Sequence, residues 1–173
     1  MPAQKKLAWL LFAALVLAAA GCRTPGQGSL PSPPGQKKLM EASGKALTRG
    51  DFLVRAREAE YILVGESHSN ACDHRVQARL IRWLADNGTE FTVGLEMVPA
   101  SKQKSLDSFN SGETGIKGLA DALGWEQIWG HPFSLYRPVF RQARRANVAL
   151  FGLNVDQELL NTLRTEGIQG LDP

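Results

Sequence analysis

Three short apolar runs along the chain predict buried β-strands, because each is bounded by glycine or polar residues. The runs span residues 61–64, 91–95 and 148–153, and the polar side chains that follow them are Glu66 and His68, Glu96, and Asn154. In an open parallel sheet, ligands bind at the carboxyl ends of the strands. We therefore expect these four side chains to line one cleft at that edge of the sheet.

Glu66 and His68 could also be purely structural residues. Glu66 would cap the helix that follows, and His68 would be a solvated loop residue. Glutamate is seldom buried without a partner, which places it near a surface or a ligand. Three separate caps at three strand ends are harder to explain than one shared cleft, so the pattern favours a functional site.

Apolar periodicity predicts helices between the strands. Apolar residues recur at helical spacing within residues 71–87, at Val76, Leu80, Trp83 and Leu84, and Gly88 suits the left-handed position after a helix. Thr48 and Asp51 have the spacing of a capping box, which predicts an earlier helix up to about residue 59. Residues 101–146 indicate helical pieces broken by glycine and proline. This order of elements predicts an α/β fold with a mainly parallel sheet flanked by helices.

The first 38 residues are predicted to lie outside the folded domain. Lys5 and Lys6 precede an apolar run at residues 7–20, which is short for a membrane-spanning helix and typical of a signal peptide. Small residues then precede Cys22, as in a bacterial lipobox, so residues 1–21 are interpreted as a lipoprotein signal and Cys22 as the lipidated residue. The alternative is an ordinary secretory signal. Residues 22–38 are rich in Pro and Gly and predict a flexible tether.

A lipid on Cys22 predicts a protein anchored to a membrane of the cell envelope. Arg23 is not the Asp that commonly retains such proteins at the inner membrane, so the outer membrane is the expected location. Signal cleavage removes Lys5 and Lys6 from 20 basic residues and none of the 17 acidic ones, which leaves a nearly neutral chain. Without a Lys/Arg-rich stretch, nucleic acid is not an expected partner.

The predicted domain at residues 39–173 has few strands for its class. Three strands were identified, whereas an average sheet has about five to six. We therefore expect this α/β domain to be incomplete in its C-terminal part.

An aromatic segment leads into the helix before the third predicted strand. Its residues are Trp125, Trp129, His131, Phe133 and Tyr136. Such a segment suits the lining of an apolar pocket. The alternative interpretation, that these side chains are core, is favoured for Trp125 and left open for Tyr136. Tyr61 is predicted to be a core aromatic, and His74 and His131 to lie at the surface.

Four blocks of residues together resemble the ChaN-like haem-binding uptake lipoproteins. They are Gly65-Glu66-Ser67-His68, Gly94-Leu95-Glu96-Met97, Tyr136-Arg137-Pro138 and Gly152-Leu153-Asn154. The resemblance covers about residues 52–163 and agrees with the lipoprotein N-terminus. It implies an α/β fold related to erythromycin esterases, with haem held by a tyrosine in a dimer that stacks two haems.

The resemblance also implies roles for particular residues. The cofactor would be haem, bound beside Glu66, His68, Glu96 and Asn154, with Tyr136 as the ligand of the iron. The expected function is haem or iron uptake at the envelope, and a second copy of the chain is a possible partner.

Two other functions compete with haem binding. Glu66, His68 and Glu96 would suit a hydrolase that activates water through a metal or a Glu/His pair. Against this, the sequence has no G-x-S-x-G nucleophile elbow. The third possibility is a module that binds another envelope partner, with these residues purely structural.

Overall fold

The computed structural model describes residues 39–171, so the predicted signal, Cys22 and the whole predicted tether lie outside the described residues. The helices are α1 (Arg49–Glu58), α2 (Ala71–Asp86), α3 (Gln103–Ser111), α4 (Leu119–Leu123), α5 (Trp125–Ile128), α6 (Phe133–Ala146) and α7 (Gln157–Glu166). The strands are β1 (Leu39–Met40), β2 (Ala46–Leu47), β3 (Val93–Pro99) and β4 (Leu150–Asn154). Within this described part, no helix has the length and apolar character needed to cross a bilayer.

The described residues divide into two compact units, residues 39–55 and residues 56–171. In the described part of the first unit, β1 and β2 form a short antiparallel pair. The backbone N–H of Thr48 donates to Asp51 Oδ2 at 2.9 Å, and the backbone N–H of Asp51 donates to Thr48 Oγ1 at 3.1 Å. These reciprocal hydrogen bonds confirm the predicted capping box, and α1 begins there.

In the second unit, α2 begins and ends close to the predicted positions. The side chain of Asn70 accepts a hydrogen bond from the backbone N–H of Cys72 at 2.9 Å, which makes Asn70 the N-cap. Gly88 has a φ of +69°, as expected for a glycine after a helix. Because Asn70 caps this helix, the alternative in which Glu66 does so is wrong.

The core of the second unit is rich in aromatic rings from α3, α5 and α6. Phe140 is fully buried, and its ring lies 5.2–6.1 Å from the rings of Phe109, Trp125 and Phe133. Such ring pairs contribute about 0.5–1.5 kcal/mol each beyond their area burial. Trp125 is therefore a core residue, as its helical spacing indicated.

A parallel pair of strands confirms the α/β class. Val93 of β3 lies opposite Leu150 of β4, and the register shifts between Leu95 and Pro99. Leu95 belongs to the buried core, whereas Gly94 is exposed, so one face of this pair packs against the helices. The exposed alternate positions include Phe151 and Leu153 of β4.

The first predicted strand, at residues 61–64, is not a strand in the structure. Tyr61 and Leu63 are 72% and 78% exposed, and the segment carries no ladder hydrogen bonds. A strand needs a neighbour that supplies its backbone partners, and the described parallel sheet has two strands, β3 and β4. The predicted β-α-β unit and the burial of Tyr61 are therefore wrong.

The outer edge of β4 is satisfied by side-chain amides of α3 instead of by another strand. Asn110 accepts from the backbone N–H of Leu150 and donates to its carbonyl, both at 3.0 Å. Gln103 accepts from the backbone N–H of Gly152 at 3.0 Å. These contacts leave fewer unpaired groups on the edge, which would otherwise be a template for pairing with another chain.

Candidate functional site

The side chain of Glu66 is the centre of a buried polar cluster in the second unit. It is 6% exposed, and it lies in the loop between residues 61–64 and α2. Its Oε1 accepts from the hydroxyl of Tyr136 at 2.7 Å and lies 2.9 Å from His68 Nδ1. Its Oε2 accepts from Gln77 Nε2 at 2.7 Å. A carboxylate that accepts several hydrogen bonds can stay ionised while buried, because those bonds replace water.

His74 completes the cluster from α2. Its Nδ1 lies 3.0 Å from Glu66 Oε2, and its Nε2 lies 3.1 Å from the backbone carbonyl of His68. Both ring nitrogens therefore lie within hydrogen-bond distance of oxygen atoms. The ring is fully buried, so the prediction that His74 lies at the surface is wrong.

Tyr136 connects the cluster to the aromatic core. It is 1% exposed, its hydroxyl donates to Glu66, and the same hydroxyl accepts from Trp129 Nε1 at 2.9 Å. The ring also lies 4.2 Å from that of His74. The sequence left open whether Tyr136 is a core residue. The structure shows that it is a buried core aromatic whose hydroxyl has hydrogen-bond partners.

His68 forms the outer side of the cluster. Its side chain is 39% exposed, and its ring lies 4.9 Å from Trp129 and 5.2 Å from His131. We call Trp129, His68 and His131 the ring surface. His131 is half-buried there, although its backbone carbonyl accepts from Trp125 Nε1 at 2.7 Å.

The cluster shifts the pKa of both groups at its centre. Burial tends to raise the pKa of Glu66, but the hydrogen bonds from Tyr136, His68 and Gln77 outweigh burial and hold it below 4.5. Burial raises the pKa of Tyr136 well above its ordinary value of 10.0, and the hydrogen bond to Glu66 adds to this. Glu66 is thus held as a carboxylate, and Tyr136 as a neutral phenol.

The structure brings together some of the predicted site residues. Glu66, His68 and Tyr136 meet in the cluster. Glu96 lies inside β3 and not after it, and its exposed carboxylate is near enough to act on the pKa of Tyr136. Asn154 is the last residue of β4, and its side chain accepts from the backbone N–H of Val155 at 2.9 Å. That contact is local and does not bring Asn154 to the cluster. The prediction that Asn154 shares a cleft with Glu66 and His68 therefore stays a prediction.

Sequence reasoning missed three members of the cluster. They are His74, Gln77 and Trp129. His74 and Gln77 are three positions apart in a predicted helix, so they share a face, and this spacing was an available signal. For Trp129 no local pattern distinguishes a hydrogen bond to a buried hydroxyl from ordinary core packing.

The described residues hold no group of three or more His, Cys, Asp or Glu side chains placed to bind a metal ion. Two surface depressions lie elsewhere in the described part of the second unit. One is lined by Phe109, Asn110, Ala143, Arg144, Asn147, Val148 and Ala149, and the other by Arg75, Ala78, Arg79, Arg82, Pro138 and Gln142. The ring surface is therefore distinct from both depressions.

The fold and the site define this protein as an α/β domain with a buried carboxylate beside a partly exposed imidazole. The chain belongs to the family described as haem-binding uptake, Tiki superfamily, ChaN, whose model matches residues 52–173. The family assignment confirms the resemblance seen in the sequence. Because this family is described as one of haem-binding uptake proteins, the alternative that the protein is a hydrolase is not favoured.

A solved structure has a similar fold. The chain matches ChaN of Campylobacter jejuni, a structure of cofacial haem binding, with a TM-score of 0.60 and 23% sequence identity. The match covers 76% of this chain and 51% of that chain, so this chain spans about half the length of the solved relative. No curated protein matches the sequence.

Proposed function

We propose that this protein binds haem at the ring surface and serves haem or iron uptake at the cell envelope. The observation that carries the proposal is the buried Glu66 cluster beside the partly exposed imidazole of His68 and the partly buried indole of Trp129. Membership of the haem-binding uptake family supports the same function.

The residues present fit a haem. His68 and Trp129 offer aromatic faces on which a flat macrocycle stacks, and an imidazole is a common ligand of haem iron. The Glu66 cluster holds these rings from below, so the surface is organised before a ligand arrives. When bound, haem iron would supply the redox and ligand-exchange chemistry, and the chain's own part is to bind and orient the macrocycle.

Haem titration of the purified protein is expected to give a saturable shift of the Soret band. Trp129→Ala should weaken binding by about two- to tenfold, because an aromatic contact contributes about 0.5–1.5 kcal/mol. Phe151→Ala is the matched control, since Phe151 is an exposed ring on β4 outside the ring surface. Equal affinities of the two variants would place the haem elsewhere, and no Soret shift in the wild type would refute the function.

We propose in addition that two copies of the chain form a dimer when haem binds. Haem stacked on the ring surface would turn its other face away from the chain, and a second copy would cover that face. The solved relative, described by cofacial haem binding, supports this arrangement. A mass measured in solution that doubles on haem addition is the expected result of the same titration.

We also propose that the chain is a lipoprotein anchored through Cys22, with the outer membrane as its location. The support is the charged start, the apolar run at residues 7–20 and the small residues before Cys22. Cys22→Ser is expected to move the protein from the membrane fraction to the soluble fraction. A variant that is cleaved normally and still sediments with membranes would contradict the lipid anchor.

A further inference from the structure

We propose that α2 and α6 form an arginine face that docks on the anionic phospholipid headgroups of a membrane. The arginine face consists of Arg75, Arg79 and Arg82 of α2 and Arg141 and Arg145 of α6. The choice of a membrane as the partner rests on the proposed lipid anchor, whereas the face itself rests on the structure of the second unit.

The packing of two helices brings these arginines together. α2 and α6 lie side by side, and the depression between them is lined by the three arginines of α2 and, from α6, by Pro138 and Gln142. The arginines of α2 are four and three positions apart, so they share one face of that helix. Arg141 and Arg145 follow Pro138 by three and seven positions, which places them on the face of α6 that borders the depression.

Few carboxylates balance the charge of the arginine face. α6 contains no Asp or Glu, and α2 contains two, of which Asp73 accepts hydrogen bonds in the loop before the helix. Asp86 lies 4.0 Å from Arg82, but both side chains are more than half exposed, and such surface pairs are weak. Three arginines of the face form no ion pair with any described carboxylate, and they are Arg79, Arg141 and Arg145. Because neighbouring like charges repel, this face favours an anionic partner.

The kind of basic residue points to phosphate groups. Neither α2 nor α6 contains a lysine, although lysines occur elsewhere in the second unit, at Lys102, Lys104 and Lys117. A guanidinium group presents its N–H donors in a planar fork that matches the oxygens of a phosphate. Four of the five arginines are exposed and one is half-buried, so their donors face the solvent side of the two helices.

A headgroup layer matches the spread of these arginines better than a single anion does. From Arg75 to Arg82 the face extends about 10 Å along α2, at about 1.5 Å per residue, and α6 adds a second row beside it. A bilayer surface offers many phosphates to such a face at once. The predicted tether at residues 22–38 would reach up to about 50 Å at about 3.1 Å per residue, which lets the domain lie directly on the membrane.

The test measures binding of the processed protein carrying Cys22→Ser, which has no lipid, to vesicles collected by sedimentation. Vesicles of phosphatidylglycerol mixed with phosphatidylcholine should bind the protein, and vesicles of phosphatidylcholine alone should not. Binding should weaken as salt is added, because salt screens the attraction. Equal binding to both kinds of vesicle, or binding that salt leaves unchanged, would overturn the proposal.

Two triple variants with the same change in net charge locate the binding face. The face variant combines Arg79→Gln, Arg141→Gln and Arg145→Gln. The control variant combines Lys104→Gln, Lys117→Gln and Arg164→Gln, at exposed positions elsewhere in the second unit.

We expect the face variant to bind anionic vesicles about 100-fold more weakly than the wild type, because each arginine near an anionic surface contributes about fivefold in binding. The control variant should stay within about threefold of the wild type, since exposed charges beyond about 10 Å are largely screened at 0.1 M salt. Thermal unfolding checks that both variants are folded. Equal losses in the two variants would show that net charge alone acts, and would overturn the arginine face.

Two results would replace the membrane with another anionic partner. Release of the protein from vesicles by inorganic phosphate at constant ionic strength would assign the arginines to a free anion. Tighter binding to duplex DNA than to vesicles, at equal phosphate concentration, would assign them to a nucleic acid. Either result would overturn docking on a membrane.

The arginine face, the lipid anchor and haem binding are tested separately. A wash with high salt releases an electrostatic contact and leaves a lipid anchor in place, so the membrane fraction of Cys22→Ser is measured after that wash. The face variant should keep the Soret shift of the wild type, because its three positions lie outside the ring surface. A wild type that takes up no haem but binds anionic vesicles would refute the proposed function and support the arginine face.

Discussion

Replacement of Glu66 with alanine is expected to lower the free energy of unfolding by about 3–5 kcal/mol, because several buried groups lose their hydrogen-bond acceptor at once. The change leaves the hydroxyl of Tyr136, the amide of Gln77 and the ring of His74 without their acceptor. Each buried group left unsatisfied costs about 1–3 kcal/mol. Urea denaturation followed by circular dichroism measures the difference.

Glu126→Ala is the matched control, because Glu126 is exposed in α5 and a surface change of this kind stays within about 0.5 kcal/mol. The same measurement repeated across pH checks the cause. The folded pKa of Glu66 is lowered, so its stabilisation is fully present above about pH 4.5 and is lost as the pH falls through the folded value. Glu66→Ala should therefore lose less stability than the wild type on acidification. Equal acid sensitivity of the two proteins would contradict the role of Glu66.

Gly152→Ala is expected to destabilise the protein by about 1–3 kcal/mol, the usual effect of adding a methyl group to a packed site. Gly152 lies in β4 where the register of β3 shifts, and a Cβ there would lie 2.6 Å from the carbonyl oxygen of Pro99 and 2.9 Å from that of Val98. Both are backbone atoms, so the strands themselves would have to separate. Thermal and urea unfolding measure the change.

Gly94→Ala distinguishes a backbone clash from a general effect of glycine in a strand. A Cβ at Gly94 would lie 2.3 Å from Leu153 Cδ1, which is even closer. Leu153 is 67% exposed, so its side chain can turn away into solvent. We expect Gly94→Ala to change stability by less than Gly152→Ala. Similar losses in both variants would show that the close approach of Pro99 does not decide the effect.

Much of the local structure was predictable because its causes lie within a few residues. The capping box at Thr48 and Asp51, the extent of α2 and the helix breaks at Gly112 and Gly124 all follow from nearby side chains and backbone preferences. The parallel pairing of β3 with β4 follows from two apolar runs joined through helices.

The error at residues 61–64 has a different physical origin. An apolar run indicates a segment that favours burial, but a strand also needs a partner at its edge, and pairing is not encoded in the run itself. In the structure Tyr61 and Leu63 are exposed, and the next residues are held by side-chain contacts of Glu66 instead.

The sequence by itself determined the α/β class, the family and the choice of Glu66, His68 and Tyr136 as residues to examine. Only the tertiary structure decided their contacts, because residues 66 and 136 meet through the packing of α6 beside α2 and not through any local pattern. In the structure Tyr136 is buried and donates a hydrogen bond to Glu66, and His74 lies beside the same carboxylate. The exposed imidazole of His68 is the result of those long-range contacts, which no short stretch of sequence contains.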